Sequence, residues 1–169
     1  MLFRCEICGD PYIGDEAPKN CPFCGARDFM KKFDEAQVNF DLELNDNDEE
    51  NVRKALDLEL SNAAFYLCSS KSVDDLEGQK LFKALGKVEA EHASVWKKIL
   101  KVEDMPDATD RCSDSYRQDL EDSHEREDRA IKFYMKAAEE AEDERIRQIF
   151  NAFVEVEKDH LALSEERLR

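Results

Sequence analysis

The residues of this 169-residue chain that can bind a metal recur at a constant offset of 68. Glu59 falls on Glu127, Phe65-Tyr66 on Phe133-Tyr134, Phe82 on Phe150, Val88-Glu89 on Val156-Glu157, and His92 on His160. Each half supplies one glutamate ahead of an aromatic pair and then an E-x-x-H. On a helix, residues three apart point the same way from adjacent turns, so the glutamate and histidine of each E-x-x-H can reach one ion together. Two halves make four carboxylates and two imidazoles, the donor set of a carboxylate-bridged di-iron centre in a four-helix bundle.

The elements that must position these residues are amphipathic helices, and each carries its glutamate in the apolar seam. The first reads Val52, Leu56, Ala63, Tyr66, with Glu59 between Leu56 and Ala63. The second reads Phe82, Leu85, Glu89, His92, Trp96, Ile99; the third Leu120, His124, Glu127, Ile131, Tyr134; the fourth Phe150, Phe153, Glu157, His160. Buried carboxylates are unfavourable unless paired, and two divalent cations would neutralise all four. Tyr66 and Tyr134 lie two turns beyond Glu59 and Glu127 on the same faces. There a hydroxyl could hydrogen-bond a ligand carboxylate, or the ring could simply fill the core. Helices are expected at 48–70, 77–102, 114–140 and 143–168, with Asp46-x-x-Glu49 and Ser115-x-x-Gln118 as caps.

A second metal motif occupies the first thirty residues. Cys5-Glu6-Ile7-Cys8-Gly9 and Cys21-Pro22-Phe23-Cys24-Gly25 are two C-x-x-C-G knuckles with twelve residues from Gly9 to Asn20 between the cysteine pairs. Four thiolates at this spacing suit tetrahedral iron or zinc, and each glycine permits the turn that aims backbone amides at the sulfurs. Cys68 and Cys112 have no histidine or cysteine at ligand spacing and read as buried or incidental thiols. The chain opens Met1-Leu2-Phe3-Arg4 without an apolar signal segment, and no stretch approaches a membrane span. A cytoplasmic, reduced protein is expected.

The two sites divide the chain into a four-cysteine domain at 1–33, an acidic linker or short strand at 34–47, and a bundle at 48–169. Residues 34–47 carry five acids and no base, and Val38, Phe40, Leu42 and Leu44 alternate with polar residues there. The net charge of −16 argues against nucleic acid and anionic membranes as partners.

The knuckle pair joined to a duplicated E-x6-Y and E-x-x-H bundle resembles the rubrerythrin family, and the knuckle-first order resembles the reverse rubrerythrins. The resemblance covers nearly the whole chain. It implies a mainly α fold, a ferritin-like four-helix bundle with a small N-terminal rubredoxin-like or zinc-ribbon β domain. It implies a non-haem di-iron peroxidase that reduces hydrogen peroxide to water with electrons from an external donor, passed through iron in the four-cysteine site. Glu59, Glu89, Glu127 and Glu157 would be carboxylate ligands, Glu89 and Glu157 the bridges, and His92 and His160 terminal ligands, one per iron. Typical rubrerythrins carry a further glutamate one turn after the third-helix ligand, where this chain has Ala130 and Ile131. His124, one turn before Glu127, reads as a core histidine capped by a carboxylate, with an extra ligand or a proton donor as the alternatives. Two other functions fit the same motifs: a ferroxidase that reacts with dioxygen and handles iron, or a zinc-ribbon binding module with a metallated bundle.

The connection between the second and third helices bears on assembly. A helix over 77–102 is roughly 39 Å long, and a link over 103–113 reaches at most ~36–40 Å. That marginal reach leaves open a homodimer whose protomers exchange helix pairs.

Overall fold

A computed structural model describes residues 1–169. Three short antiparallel strands, β1 (Leu2–Cys5), β2 (Pro11–Ile13) and β3 (Met30–Lys32), form a sheet in the order β2-β1-β3, with Phe3 opposite Tyr12 and Cys5 opposite Met30. Four helices follow: α1 (Asp46–Ser72), α2 (Leu76–Leu100), α3 (Tyr116–Glu140) and α4 (Glu144–Leu168). The fold is thus a four-helix bundle with a small N-terminal sheet carrying a four-cysteine cluster. No helix is long and apolar enough to cross a membrane.

The seams expected from sequence are the buried faces. Val52, Leu56, Phe82, Leu85, Trp96, Ile99, Leu120, Phe150 and Phe153 are all buried, and Glu59, Glu89, Glu127 and Glu157 are buried among them. Ser115 caps α3 by accepting from the Gln118 backbone N–H at 3.3 Å, as expected. At α1 the cap is Asn45, one residue before Asp46, accepting from the Asp48 N–H at 2.8 Å. Asp48 is thereby freed for a longer reach: its buried carboxylate accepts from the backbone N–H of Glu142 and Asp143, tying the α3–α4 turn to the start of α1.

Residues 33–45 form no strand. The alternation is nonetheless real: Val38, Phe40, Leu42 and Leu44 are half-buried and the residues between them largely exposed. Phe40, Leu42 and Leu44 pack against the core as an extended strap whose backbone pairs with no sheet. Lys101, just past α2, pairs with Asp41, and Lys98 lies 5.4 Å from the Phe40 ring centroid.

The crossover from α2 to α3 is longer than the sequence pattern suggests, because α2 ends at Leu100 and α3 begins at Tyr116. Fifteen residues reach ~50 Å, ample for a 25-residue helix of about 37 Å. The link returns along the bundle to place Tyr116 against Gly78 at the start of α2, so it is long enough for one chain to close the bundle. Two ties hold it there. Asp110 accepts from Ser61 Oγ at 2.7 Å and from Arg126 Nη2 at 2.8 Å. Cys112 is joined to Cys68 near the end of α1 by a disulfide, which corrects the reading of these residues as separate thiols. They lie 44 residues apart in sequence and meet only because the crossover folds back on α1. Replacing both by serine should therefore lower unfolding free energy by about 2–4 kcal/mol in a denaturant titration, with both metal sites still loading; an unchanged midpoint would mean that the bond contributes nothing in solution.

Candidate metal centre

α1 and α3 each bring one carboxylate to the middle of the bundle, and α2 and α4 each bring a glutamate and a histidine from adjacent turns. The six side chains form two groups, Glu59, Glu89, His92 and Glu157, and Glu89, Glu127, Glu157 and His160, with the donor atoms of each group within 4.8 Å of one another. Glu89 and Glu157 belong to both groups, and their oxygens are divided between them. His92 Nδ1 lies 3.3 Å from Glu89 Oε2 and 3.2 Å from Glu157 Oε1. His160 Nδ1 lies 3.0 Å from Glu89 Oε1 and 2.9 Å from Glu157 Oε2. Each of these two carboxylates thus turns one oxygen toward each imidazole.

The electrostatics make the same point. Glu59 Oε2, both oxygens of Glu89, Glu127 Oε2, Glu157 Oε1 and His92 Nδ1 are buried with no hydrogen-bond partner in the protein. Burial above all, then repulsion from Glu89 and Glu157, holds the carboxyls of Glu59 and Glu127 well above the usual carboxylate range. Burial opposes a charge on His92, but Glu157, Glu59 and Glu89 outweigh it and hold its proton well above the ordinary histidine range. His160 is raised likewise, with Glu89 and Glu157 overcoming burial. Protons here do what cations would do, and a pair of divalent ions with oxygen and imidazole preference, iron among them, fits the donors present.

The tyrosines cross between the halves. Tyr66 of α1 donates to Glu127 of α3, and Tyr134 of α3 donates to Glu59 of α1. Each hydroxyl has a second partner, Ser123 Oγ at 2.8 Å for Tyr66 and Trp96 Nε1 at 3.3 Å for Tyr134. Burial first and the neighbouring carboxylates second keep both phenols protonated, so they act as fixed donors. Ser123 and the buried Asn62 beside this seam were not singled out from sequence. Both are polar residues on faces whose repeat partners, Ala55 and Ala130, are apolar, so the duplication gave no signal for them.

His124 stands outside both donor groups. It is half-buried, and its Nδ1 lies 3.5 Å from Ser164 Oγ, so its partner is a hydroxyl and not the carboxylate expected. The repeat explains the pairing: the equivalents of His124 and Ser164 in the first half are Leu56 and Trp96, two buried apolar residues.

The four cysteines gather in the N-terminal unit. Cys5 and Cys24 sulfurs lie 3.8 Å apart, and those of Cys8 and Cys21 3.7 Å. A tetrahedron with metal–sulfur bonds of ~2.3 Å has edges of about 3.8 Å, so the cage is already the size that iron or zinc requires. Gly9 and Gly25 adopt φ of 85° and 77°, and their N–H groups bond the carbonyls of Cys5 and Cys21.

This cage is docked onto the bundle. His92 Nε2 lies 2.8 Å from the carbonyl oxygen of Cys24. A carbonyl only accepts, so Nε2 carries a proton and donates to it, while Nδ1 faces the carboxylate cluster. Around that contact, Lys98 donates to the Cys8 carbonyl at 2.9 Å, Arg27 pairs with both oxygens of Asp159, and Arg145 donates to the Glu6 carbonyl. A β-carbon at Gly25 would meet Val156 Cγ1 at 2.9 Å, so glycine is needed there for close approach as well as for its φ.

Residues 50–166 match the rubrerythrin family, and residues 3–29 match the rubredoxin-like domain of rubrerythrin. Reverse rubrerythrin-1 of Clostridium acetobutylicum aligns at 29% identity over 112 residues, 58% of this chain and 61% of that protein. The match thus spans less than two thirds of the relative's length.

A cation entering the bundle site must displace protons from groups that hold them above their ordinary range. Divalent-cation uptake should therefore release protons, and affinity should fall about tenfold for each proton displaced per pH unit of acidification. Without metal, the folded state binds the extra protons, so its stability should decline as pH rises through the raised values. Chelator competition between about pH 8 and 6 checks this, and a pH-independent affinity would contradict the assignment.

Proposed function

This chain belongs to the rubrerythrin family, and from that premise and the geometry of its two sites we propose that it reduces hydrogen peroxide to water at a di-iron centre supplied with electrons by a four-cysteine iron. The supporting observation is His92, one side chain that faces Glu59, Glu89 and Glu157 through Nδ1 and meets the Cys24 carbonyl through Nε2. An electron leaving the cage through Cys24 crosses a single hydrogen bond to reach the bundle site.

When bound, two irons would supply one electron each to the O–O bond, and the four-cysteine iron would restore them singly. The balance is H2O2 plus two protons and two electrons to two waters. The protein's part is positional. Glu89 and Glu157, which belong to both donor groups, would hold two cations together, and His92 and His160 would each complete one group. Tyr66 and Tyr134 keep Glu127 and Glu59 oriented without giving up their protons. Trp96, Phe150 and Phe153, packed on one another and on His92, exclude bulk water from that flank. On the outer side of the cage, Pro22 and Phe23 are exposed and give an external electron donor a surface adjoining two of the sulfurs. Because the cage meets the bundle of its own chain, this pathway requires no second protomer.

Stopped-flow mixing of fully reduced protein with hydrogen peroxide tests the reading. The thiolate-iron absorption should bleach on reduction and return rapidly with peroxide, and Glu89→Ala should abolish the fast return while leaving the cage reducible. Zinc in the cage should leave a bundle that turns over once and stops. Equally fast reoxidation without bundle metal, or zinc alone in the cage of native protein, would favour the binding module; preference for dioxygen with iron accumulation would favour the ferroxidase.

A further inference from the structure

Asn62 lies on α1 one turn after Glu59 and one turn before Tyr66, and is 4% exposed. Its Oδ1 accepts from Arg126 Nη1 at 3.3 Å. Arg126 adjoins Glu127 on α3 and is itself fixed, by Asp110 at 2.8 Å and by stacking 4.2 Å from the Phe65 ring centroid. A guanidinium only donates, so the orientation of the amide follows: oxygen toward Arg126, nitrogen away from it. That nitrogen has no acceptor in the protein, although it is buried. A buried donor without an acceptor is costly, and native structures keep few of them. Six of the ten buried polar atoms left without a partner belong to Glu59, Glu89, His92, Glu127 and Glu157, so the stray donor is found one turn from a cluster whose own free atoms are accounted for by cations.

The side of the cluster on which it lies is informative. Both imidazoles and both shared carboxylates come from α2 and α4. α1 and α3 bring only one carboxylate each, so theirs is the side with fewer donors, and the contact of Asn62 with Arg126 of α3 places it on that side. We propose that Asn62 is a substrate-binding residue: oriented by Arg126, its Nδ2 donates a hydrogen bond to an oxygen of peroxide entering between Glu59 and Glu127. As the O–O bond takes up two electrons, that oxygen gains negative charge before protons convert both oxygens to water. A neutral amide stabilises the charge without adding another carboxylate to compete for the cations. The repeat equivalent is Ala130, so only one side of the duplicated site offers such a donor.

The inference rests on the di-iron reading above, and the test separates the two. Full-length protein with iron in both sites is oxidised and titrated with azide, an anion that stands in for peroxide, following the azide-to-iron absorption. Asn62→Ala should retain both bundle irons and an unchanged thiolate-iron spectrum while binding azide about tenfold more weakly or worse. Asn62→Leu, which refills the volume without restoring a donor, should be weakened as well. Wild-type affinity in both variants, recovery of affinity by leucine, or loss of bundle iron in either would overturn the proposal and make Asn62 a packing residue. An absent azide band in the wild type would instead reject the di-iron reading, and the proposal with it.

Discussion

Four glutamates share the centre of one helical bundle, all fully buried, and most of the molecule's architecture can be read as the consequence of keeping them there. Each ionised carboxylate taken out of water costs several kcal/mol unless it is compensated. The compensation comes partly from the protein: two imidazoles three residues after a glutamate, and two tyrosine hydroxyls crossing from the opposite half. It is incomplete by six unpartnered atoms, which is the signature of a site completed by cations. Helix spacing, the straightness of the seams and the aromatic packing around Trp96 then serve one requirement, that the four carboxyl groups converge instead of escaping to solvent.

This constraint is why so much was legible in the sequence. A glutamate on a polar face carries no information, but Glu59 between Leu56 and Ala63 must point inward, and a second copy of the pattern 68 residues later leaves few other arrangements. The knuckles are equally local: two cysteines, a turn and a glycine with positive φ define each half of the cage. What escaped the sequence are contacts between segments far apart in the chain. The cap at Asn45 was misplaced by one residue because Asp46, Asn47 and Asp48 all look competent, and only the structure shows Asp48 reserved for the α3–α4 turn. The period of two at 38–44 suggested a short strand laid against one domain; the segment is a half-buried strap that packs on the core and beside Gly9 without pairing to any strand.

The crossover shows the same division. Helix ends are fixed by caps and neighbours, and shifting two of them by two residues each turned a marginal link into a comfortable one. The disulfide between Cys68 and Cys112 depends entirely on that route. So does the position of Asp110, which reaches Arg126 and through it the amide of Asn62. A surface connection thereby sets the orientation of a buried polar group beside the metal-binding cluster.

The duplication makes the two halves of the bundle nearly equivalent, and the docked cage removes that equivalence. His92 donates a hydrogen bond from Nε2 to the Cys24 carbonyl, whereas the hydrogen bond of His160, its counterpart, runs from Nδ1 to Glu157. An imidazole that donates a hydrogen bond becomes the more electron-rich partner of whatever Nδ1 touches. Two positions built from one repeated pattern therefore differ in what holds their histidines. The docked cage thus gives two copies of one sequence pattern different surroundings, and the duplicated bundle has a near half and a far half.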